Sequence, residues 1–331
     1  MFKIDSTTLT EKNTYVIAEG GLNHNGDINI AKKLIDSAKE CGANAIKFQT
    51  YKTENFVRET NQYFDVFKNA ELNFEQFEEL KNYSKNIGLT FFSTPFDIES
   101  AEFLNQLEIP CFKIASSDLT NLPLITKIAK MQKPMIISSG LSTMNEINDT
   151  VNCCLFEGNN QIALLHCVAN YPAQPNEVNM NVINTLKKTF GFPIGYSDNG
   201  ESSLVDIVAV SMGANIIEKH FTLDKKMDGP DHKLSADPKE LRELIKKVRT
   251  VEKVLGKPRK QFLKSEQKFR IAMRRSIGFN QNLQKDTKIT QSMLTYYRPG
   301  DGIEPNMIKN VIGRKLKQNV TKGTFVNWNM I

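Results

Sequence analysis

Apolar and polar positions alternate along the first 255 residues in a repeating unit. A short apolar run ends in a polar or small residue, and a longer stretch follows whose apolar residues return every three or four positions. The first unit is explicit: 15–21 (YVIAEGG) reads as a buried strand, 30–41 as an amphipathic helix and 45–50 (AIKFQT) as the next strand. Near-continuous apolar strands separated by helices mark a parallel sheet covered on both faces. The remaining strand candidates are 89–96, 111–117, 134–140, 162–169, 192–197 and 216–222, which makes eight, and the last helix spans 238–255.

Eight strand–helix units in this length match a (β/α)8 TIM barrel better than an open doubly wound sheet, and the first strand lacks the GxGxxG of a dinucleotide fold. Nearly every strand ends in a reactive side chain: Glu19, Lys47 and Gln49, Thr94, Lys113 and Ser116, Ser138, Tyr171, Ser197 and Asp198, Lys219 and His220. A barrel opens all those ends on one face, where barrel enzymes keep their active sites. The expected organisation is an α/β chain with a TIM-barrel catalytic domain at 1–255 and a polar linker at 256–268. A small β-rich domain at 269–331 follows, with the turn-rich segment RPGDGIEPN.

Composition narrows the class. A chain of 331 residues, 40% hydrophobic, supports two domains. No apolar run is long enough for a membrane helix and the N-terminal stretch carries no apolar signal, so a cytoplasmic protein without membrane contact is expected. The five cysteines are odd in number and show no CxxC spacing, which argues against a disulfide framework or a cysteine zinc site. Cys167 beside His166 is not a catalytic pair, because neighbours on a strand face opposite sides, and strand packing is the reading for Cys167. Residues 1–238 carry 21 Lys/Arg against 30 Asp/Glu, and 239–331 carry 22 against 7. The basic charges are scattered singly, with no run interleaved with stacking aromatics, so they read as a solvated face that can meet an acidic partner subunit and not as a nucleic-acid site.

The strand ends supply the chemistry. Lys47 and Lys113 bring point charge, and Ser116, Ser138, Ser197 and the Gly-bearing turn after Ser139 bring directed donors, a set suited to a phosphorylated, carboxylated anion. Each serine alone is a loop or capping residue; their recurrence at strand ends carries the reading. His24 and His220 end the first and eighth strands, which become neighbours when a barrel closes and so face one site, with His220 a candidate metal ligand without HxxEH-type spacing. Glu19 serves as acid or base, or only neutralises Lys47. From the residues alone, the chain is a barrel enzyme acting on an anionic small molecule.

The motifs AEGGLNHNGD, IKFQT, FFSTPFD, FKIASSD, IISSGLST, HCVANYPA, GYSDNG, EKHFT and GPDHKLSADP occur in order over 15–238, and together they resemble the bacterial sialic acid synthase family. RRSI, YYRPGDGI and VIGRKL resemble that family's C-terminal antifreeze-like (SAF) domain. The resemblance implies that phosphoenolpyruvate is held by Lys113, Ser116, Ser138 and Ser197, with Lys47 near its carboxylate. It sets Gln49, Thr94, Tyr171 and Asp231 against an N-acylated amino sugar in open-chain form, and has Arg298 reach in from the partner's SAF domain in a domain-swapped homodimer. Carbon 3 of phosphoenolpyruvate attacks the sugar aldehyde, water adds at carbon 2 and phosphate leaves by C–O cleavage. Glu19, Lys47 and His220 are the implied catalytic residues, with Glu19 orienting water or shuttling protons. A divalent metal, manganese or magnesium, polarises the aldehyde from His220 and Asn199.

Two departures stand out. Asn199 follows Ser197-Asp198 where the family reads histidine, and an amide oxygen holds a transition metal less well than imidazole. Ala169 stands where some members carry an asparagine near the phosphate, so that contact is either missing or supplied by Asn170. Asp118 stands where N-acetylmannosamine enzymes carry glutamate, which favours a diacetamido-trideoxy sugar and legionaminic acid over sialic acid. The competing reading is a non-catalytic sugar-binding protein on the same fold; retention of Glu19, Lys47, Lys113 and His220 speaks against it.

Overall fold

The computed structural model describes residues 2–10 and 13–331. Eight strands run in chain order: β1 (Tyr15–Gly21), β2 (Ala45–Thr50), β3 (Thr90–Pro95), β4 (Phe112–Ile114), β5 (Met135–Ser138), β6 (Ile162–Cys167), β7 (Ile194–Asp198) and β8 (Ile216–His220). Each pairs in parallel with the next, and β8 pairs with β1 to close the barrel. The helices are α1 (Ile28–Cys41), α2 (Thr53–Phe56), α3 (Phe64–Ala70), α4 (Phe74–Asn86), α5 (Ile98–Gln106), α6 (Leu122–Ala129), α7 (Met144–Phe156), α8 (Val182–Phe190), α9 (Ser203–Ser211) and α10 (Pro238–Leu255).

Local chemistry explains the elements. The Asp27 carboxylate accepts from the N–H groups of Asn29 and Ile30 to start α1, and Gly42 ends it in the left-handed region that glycine takes without steric cost. Between those caps Ala31, Leu34, Ile35 and Ala38 recur at helical spacing and are buried. At the other end of the barrel sequence, Asp237 and Glu240 form a capping box with Pro238 in the first turn, and Leu241, Leu244, Ile245 and Val248 face inward. α1 and α10 pack against each other across the closing seam between β1 and β8. Each fully buried Leu or Ile contributes roughly 1.5–3 kcal/mol relative to an exposed one, so these faces drive the helices onto the sheet.

The first two strands match their apolar runs, and from β3 on the strands are shorter than those runs suggest. β4 stops at Ile114 because Ser116–Asp118 turn into a 3-10 helix, and β5 stops at Ser138 before Gly140. The backbone there approaches so closely that a Cβ on Gly140 would lie 2.7 Å from the Ser116 hydroxyl. Two features carry no periodic signal: the hairpin Lys3–Ile4 with Thr7–Thr8, and the excursion after β2 that holds α2 and α3.

The second compact unit is Lys257–Ile331, so it takes in the segment read as a linker, and helix α11 (Gln267–Met273) crosses residue 268. Strands β9 (Ser276–Phe279) and β10 (Leu294–Tyr297) pair antiparallel, and α12 (Ile308–Val311) is a single turn. Ile277, Phe279, Ile289, Val311, Leu316 and Val326 give this unit its own core. Among the described residues no helix is long and apolar enough to cross a membrane.

Candidate functional site

The C-terminal ends of the strands surround a cavity of about 370 Å³. Glu19, Lys47, Gln49, Thr94, Lys113, Ser116, Ser138, Tyr171, Ser197, Asn199, His220 and Asp231 all line it. Arg298 belongs to the second unit, in the turn after β10.

Strand register assembles the centre. Glu19 on β1 lies opposite Lys47 on β2 and His220 on β8. The Lys47 ammonium sits 2.7 Å from Glu19 Oε2 and donates to Thr94 Oγ1 at 2.8 Å, while Gln49 Nε2 donates to Glu19 Oε1 at 3.2 Å. Glu19 and Lys47 are both buried, so their charges interact with little solvent screening.

Lys113 forms the second cationic point, donating to Ser138 Oγ at 2.6 Å and to the Ile114 carbonyl at 2.8 Å. Its partner is Glu218, a residue the sequence reading passed over. Glu218 Oε1 lies 3.6 Å from Lys113 and accepts from Ser197 Oγ at 3.0 Å, and Oε2 lies 4.0 Å from Lys47. Burial alone would raise the Glu218 carboxyl, but Lys113, then Lys47, Ser197 and His220 outweigh it and hold the group below the usual carboxylate range. At Lys113 burial wins and lowers the ammonium against the pull of Glu218. The signal was available: Glu218 precedes His220 by two residues within EKHFT, and period two sets both on the inner face of β8. Two buried lysines thus already face two buried carboxylates. The pairs balance one another in charge, so an anionic ligand here would call for a further positive charge beyond the two lysines.

His220 offers the matching feature. Its Nδ1 is buried without a hydrogen-bond partner, 3.8 Å from Asp231 Oδ2, and the Tyr171 ring meets the imidazole edge-on with centroids 5.9 Å apart. Asn199 donates through Nδ2 to the Val168 carbonyl at 2.8 Å and to Cys167 Sγ at 3.4 Å, which leaves its amide oxygen as the end available to a ligand. Among the described residues no group of three or more His, Cys, Asp or Glu is placed to hold a metal. One orphaned imidazole nitrogen and one amide oxygen therefore fit a cation whose remaining ligands come from substrate and water, and not a closed structural site.

Several expectations need correction. His24 does not share the cavity: it is buried, its Nδ1 accepts from the Gly26 N–H at 3.1 Å, its ring packs on Phe48, and burial pushes it down to about 4. Asp198 and Lys219, read as mouth residues, pair with each other and do not line the cavity. Cys167 does line it, while His166 turns away to the Val178 carbonyl, as alternation along a strand requires. Asp118 accepts from Ser117 and Asn121 in its own turn and does not line the cavity. All five cysteines are free.

The rim is apolar. Tyr63, Val66 and Phe67 of the excursion after β2, with Leu22, Phe96 and Leu141, contribute large apolar side chains to the lining. None of these was singled out from sequence, because one exposed apolar residue is unremarkable until the fold groups several together.

Comparison with known proteins agrees with this architecture. The NeuB family profile matches residues 34–260 and the SAF domain profile matches 274–331. An uncharacterized protein of Methanocaldococcus jannaschii is 46% identical over 95% of this chain and 94% of its own length. The N,N'-diacetyllegionaminic acid synthase of Legionella pneumophila is 39% identical over 96% of this chain and 94% of its own. The crystal structure of N-acetylneuraminic acid (sialic acid) synthetase from Leptospira borgpetersenii, in complex with citrate, superposes with a TM-score of 0.77 at 36% identity, covering 81% of this chain and 94% of that one. The chain therefore belongs to the NeuB family with a C-terminal SAF domain, and is a carbon–carbon bond-forming enzyme of the sialic, legionaminic and pseudaminic acid synthases.

Proposed function

We propose that this enzyme condenses phosphoenolpyruvate with an N-acylated mannosamine-type sugar, 2,4-diacetamido-2,4,6-trideoxymannose before N-acetylmannosamine, giving legionaminic acid and phosphate. The observation that carries the reading is the buried quartet Glu19–Lys47–Glu218–Lys113, set among strand-end hydroxyls in one cavity. Lys113, Ser116, Ser138 and Ser197 hold the phosphate, and Lys47 holds the carboxylate of phosphoenolpyruvate. Gln49, Thr94, Tyr171 and Asp231 orient the open-chain sugar so that its aldehyde faces carbon 3. Glu19, hydrogen-bonded by Gln49 and paired with Lys47, carries a proton at its carboxylate during addition of water at carbon 2. A divalent ion, manganese or magnesium, held by His220 Nδ1 and the Asn199 amide oxygen, supplies Lewis acidity toward the sugar aldehyde when bound.

The deciding experiment is mass spectrometry of the products from phosphoenolpyruvate with each sugar, before and after chelation and metal add-back. Phosphate release with a nine-carbon acid is expected, lost on chelation and recovered with manganese. No product with either sugar at any metal concentration would sink the reading.

The active form is read as a domain-swapped homodimer in which Arg298 of one copy completes the other's barrel. Its support is the net positive charge of 239–331 against the net negative charge of 1–238, and the presence of Arg298 in a turn. Mixing Glu19→Ala with Arg298→Ala protein under subunit exchange should restore activity to about a quarter of wild type, since half the dimers then carry one intact site of two. Recovery of nothing, with exchange verified by mass, would assign Arg298 to its own chain.

A further inference from the structure

We infer that Tyr63 and Val66 set the sugar specificity of this enzyme, forming an apolar wall that accepts methyl-capped substituents and penalises hydroxyls at the same place. The inference rests on the condensation reading above and names the determinant within it. Tyr63 caps α3 and Val66 lies three residues on, so the two share one side of that helix. Both line the cavity, yet they are 56% and 38% exposed. Large apolar side chains left open beside buried charges cost solvation free energy unless a ligand covers them.

The wall is held firmly from behind. Phe56 packs against Phe96 and Phe67 with ring centroids 4.5 and 4.9 Å apart, and Tyr51 meets both Phe56 and Phe67. The Tyr51 hydroxyl donates to the Phe67 carbonyl at 3.0 Å, and Glu71 accepts from both the N–H and the hydroxyl of Thr53. Those bonds tie the two ends of the excursion together, so it presents a fixed surface and not a loose loop.

Its position points to the sugar. The excursion leaves β2 just past Gln49, and Phe96 lies two residues beyond Thr94, so the wall adjoins the residues read as sugar contacts. The charged and amide side chains of α3, Asp65, Lys68 and Asn69, do not line the cavity. Apart from the Tyr63 hydroxyl at its tip, this wall offers a sugar hydroxyl no side-chain partner, so a hydroxyl against Val66 or the Tyr63 ring would lose its water unfavourably, whereas a methyl gains by burial. The diacetamido-trideoxy sugar bears an acetamido methyl and a C6 methyl where N-acetylmannosamine bears hydroxyls. Asp118, to which the sequence pattern tied this choice, lies outside the cavity lining, so discrimination passes to the wall.

The test compares kcat/KM for the two sugars at saturating phosphoenolpyruvate in wild type, Val66→Ser and Tyr63→Ser; both positions are exposed enough for the variants to fold. Wild type should favour the trideoxy sugar, and Val66→Ser should cut that preference about tenfold, with Tyr63→Ser moving it the same way. A preference within about twofold of wild type in both variants overturns the inference, because a wall that only supports the fold or meets another domain would lower both sugars alike. A wild type favouring N-acetylmannosamine overturns the inference and the order of sugars proposed above but leaves the condensation standing, and a wild type that releases no phosphate with either sugar overturns the condensation reading as well.

Discussion

On β7 and β8, alternate residues send polar and charged side chains to two different places. Ser197, Glu218 and His220 turn into the cavity, where Glu218 Oε2 and His220 Nδ1 are buried without a hydrogen bond. Asp198 and Lys219 turn the other way and close on each other: Lys219 pairs with Asp198, whose Oδ1 accepts from the Tyr196 hydroxyl at 3.2 Å and the Gly200 N–H at 2.8 Å. The outward set has one open member, Asp206 on α9, whose oxygens lack a hydrogen bond and whose carboxyl is raised well above the usual range by burial and then by Asp198. That shift disfavours two charged carboxylates side by side. Charges of similar type on the same two strands thus do different work. The outward pair closes on itself in the barrel wall, and the inward groups are left open to the cavity.

The sharpest way to break that contrast is Lys219→Met. It strands the Asp198 carboxylate in the protein interior, and removing one partner of a buried pair typically costs about 3–5 kcal/mol. A loss of that size in the urea unfolding free energy is expected, while the protein that remains folded keeps its Michaelis constant for phosphoenolpyruvate. A stable variant with a raised constant would show that Lys219 serves the site and not the wall.

A second lever acts through pH. His24 lies outside the cavity, and burial pushes its imidazole down to about 4 from an ordinary value near 6.5. Its folded value is depressed, so between about 6.5 and 4 the unfolded chain binds the extra proton and stability falls as the pH drops. The full difference corresponds to about 3 kcal/mol, reached only near the lower value. Thermal unfolding at pH 7 and pH 5 should show part of it, and His24→Asn, whose side-chain oxygen can still accept from the Gly26 N–H, should flatten the slope. An unchanged slope would move the acid sensitivity elsewhere.

The sequence makes much of this legible. Eight apolar runs with reactive ends were enough for the barrel, and register then brings Glu19, Lys47 and His220 side by side as that fold demands. What it left mixed was facing. Ser197 with Asp198, and Lys219 with His220, look equivalent at a strand end, and only period two applied from a known inward residue separates them. The same step recovers Glu218 and moves Cys167 into the cavity. The apolar rim was not legible at all: Tyr63, Val66 and Phe67 lie in an excursion with no periodicity, and only the folded chain gathers them beside Phe96 and Leu141.

The smallest expected effect tests the open side directly. Lys113→Met removes the charge that Ser138 and Glu218 share, and a charge-assisted hydrogen bond to substrate is worth about 1.5–3 kcal/mol. The Michaelis constant for phosphoenolpyruvate should rise about tenfold or more. Some stability goes too, since Glu218 then relies on Lys47 at 4.0 Å and on the Ser197 hydroxyl. Adding Glu218→Gln separates the two effects. The neutral amide needs no counter-charge, so the double variant should regain stability over Lys113→Met while the raised constant for phosphoenolpyruvate persists. If the second change restores binding as well as stability, Lys113 acts only to neutralise Glu218, and the open set becomes one more closed pair that happens to face a cavity.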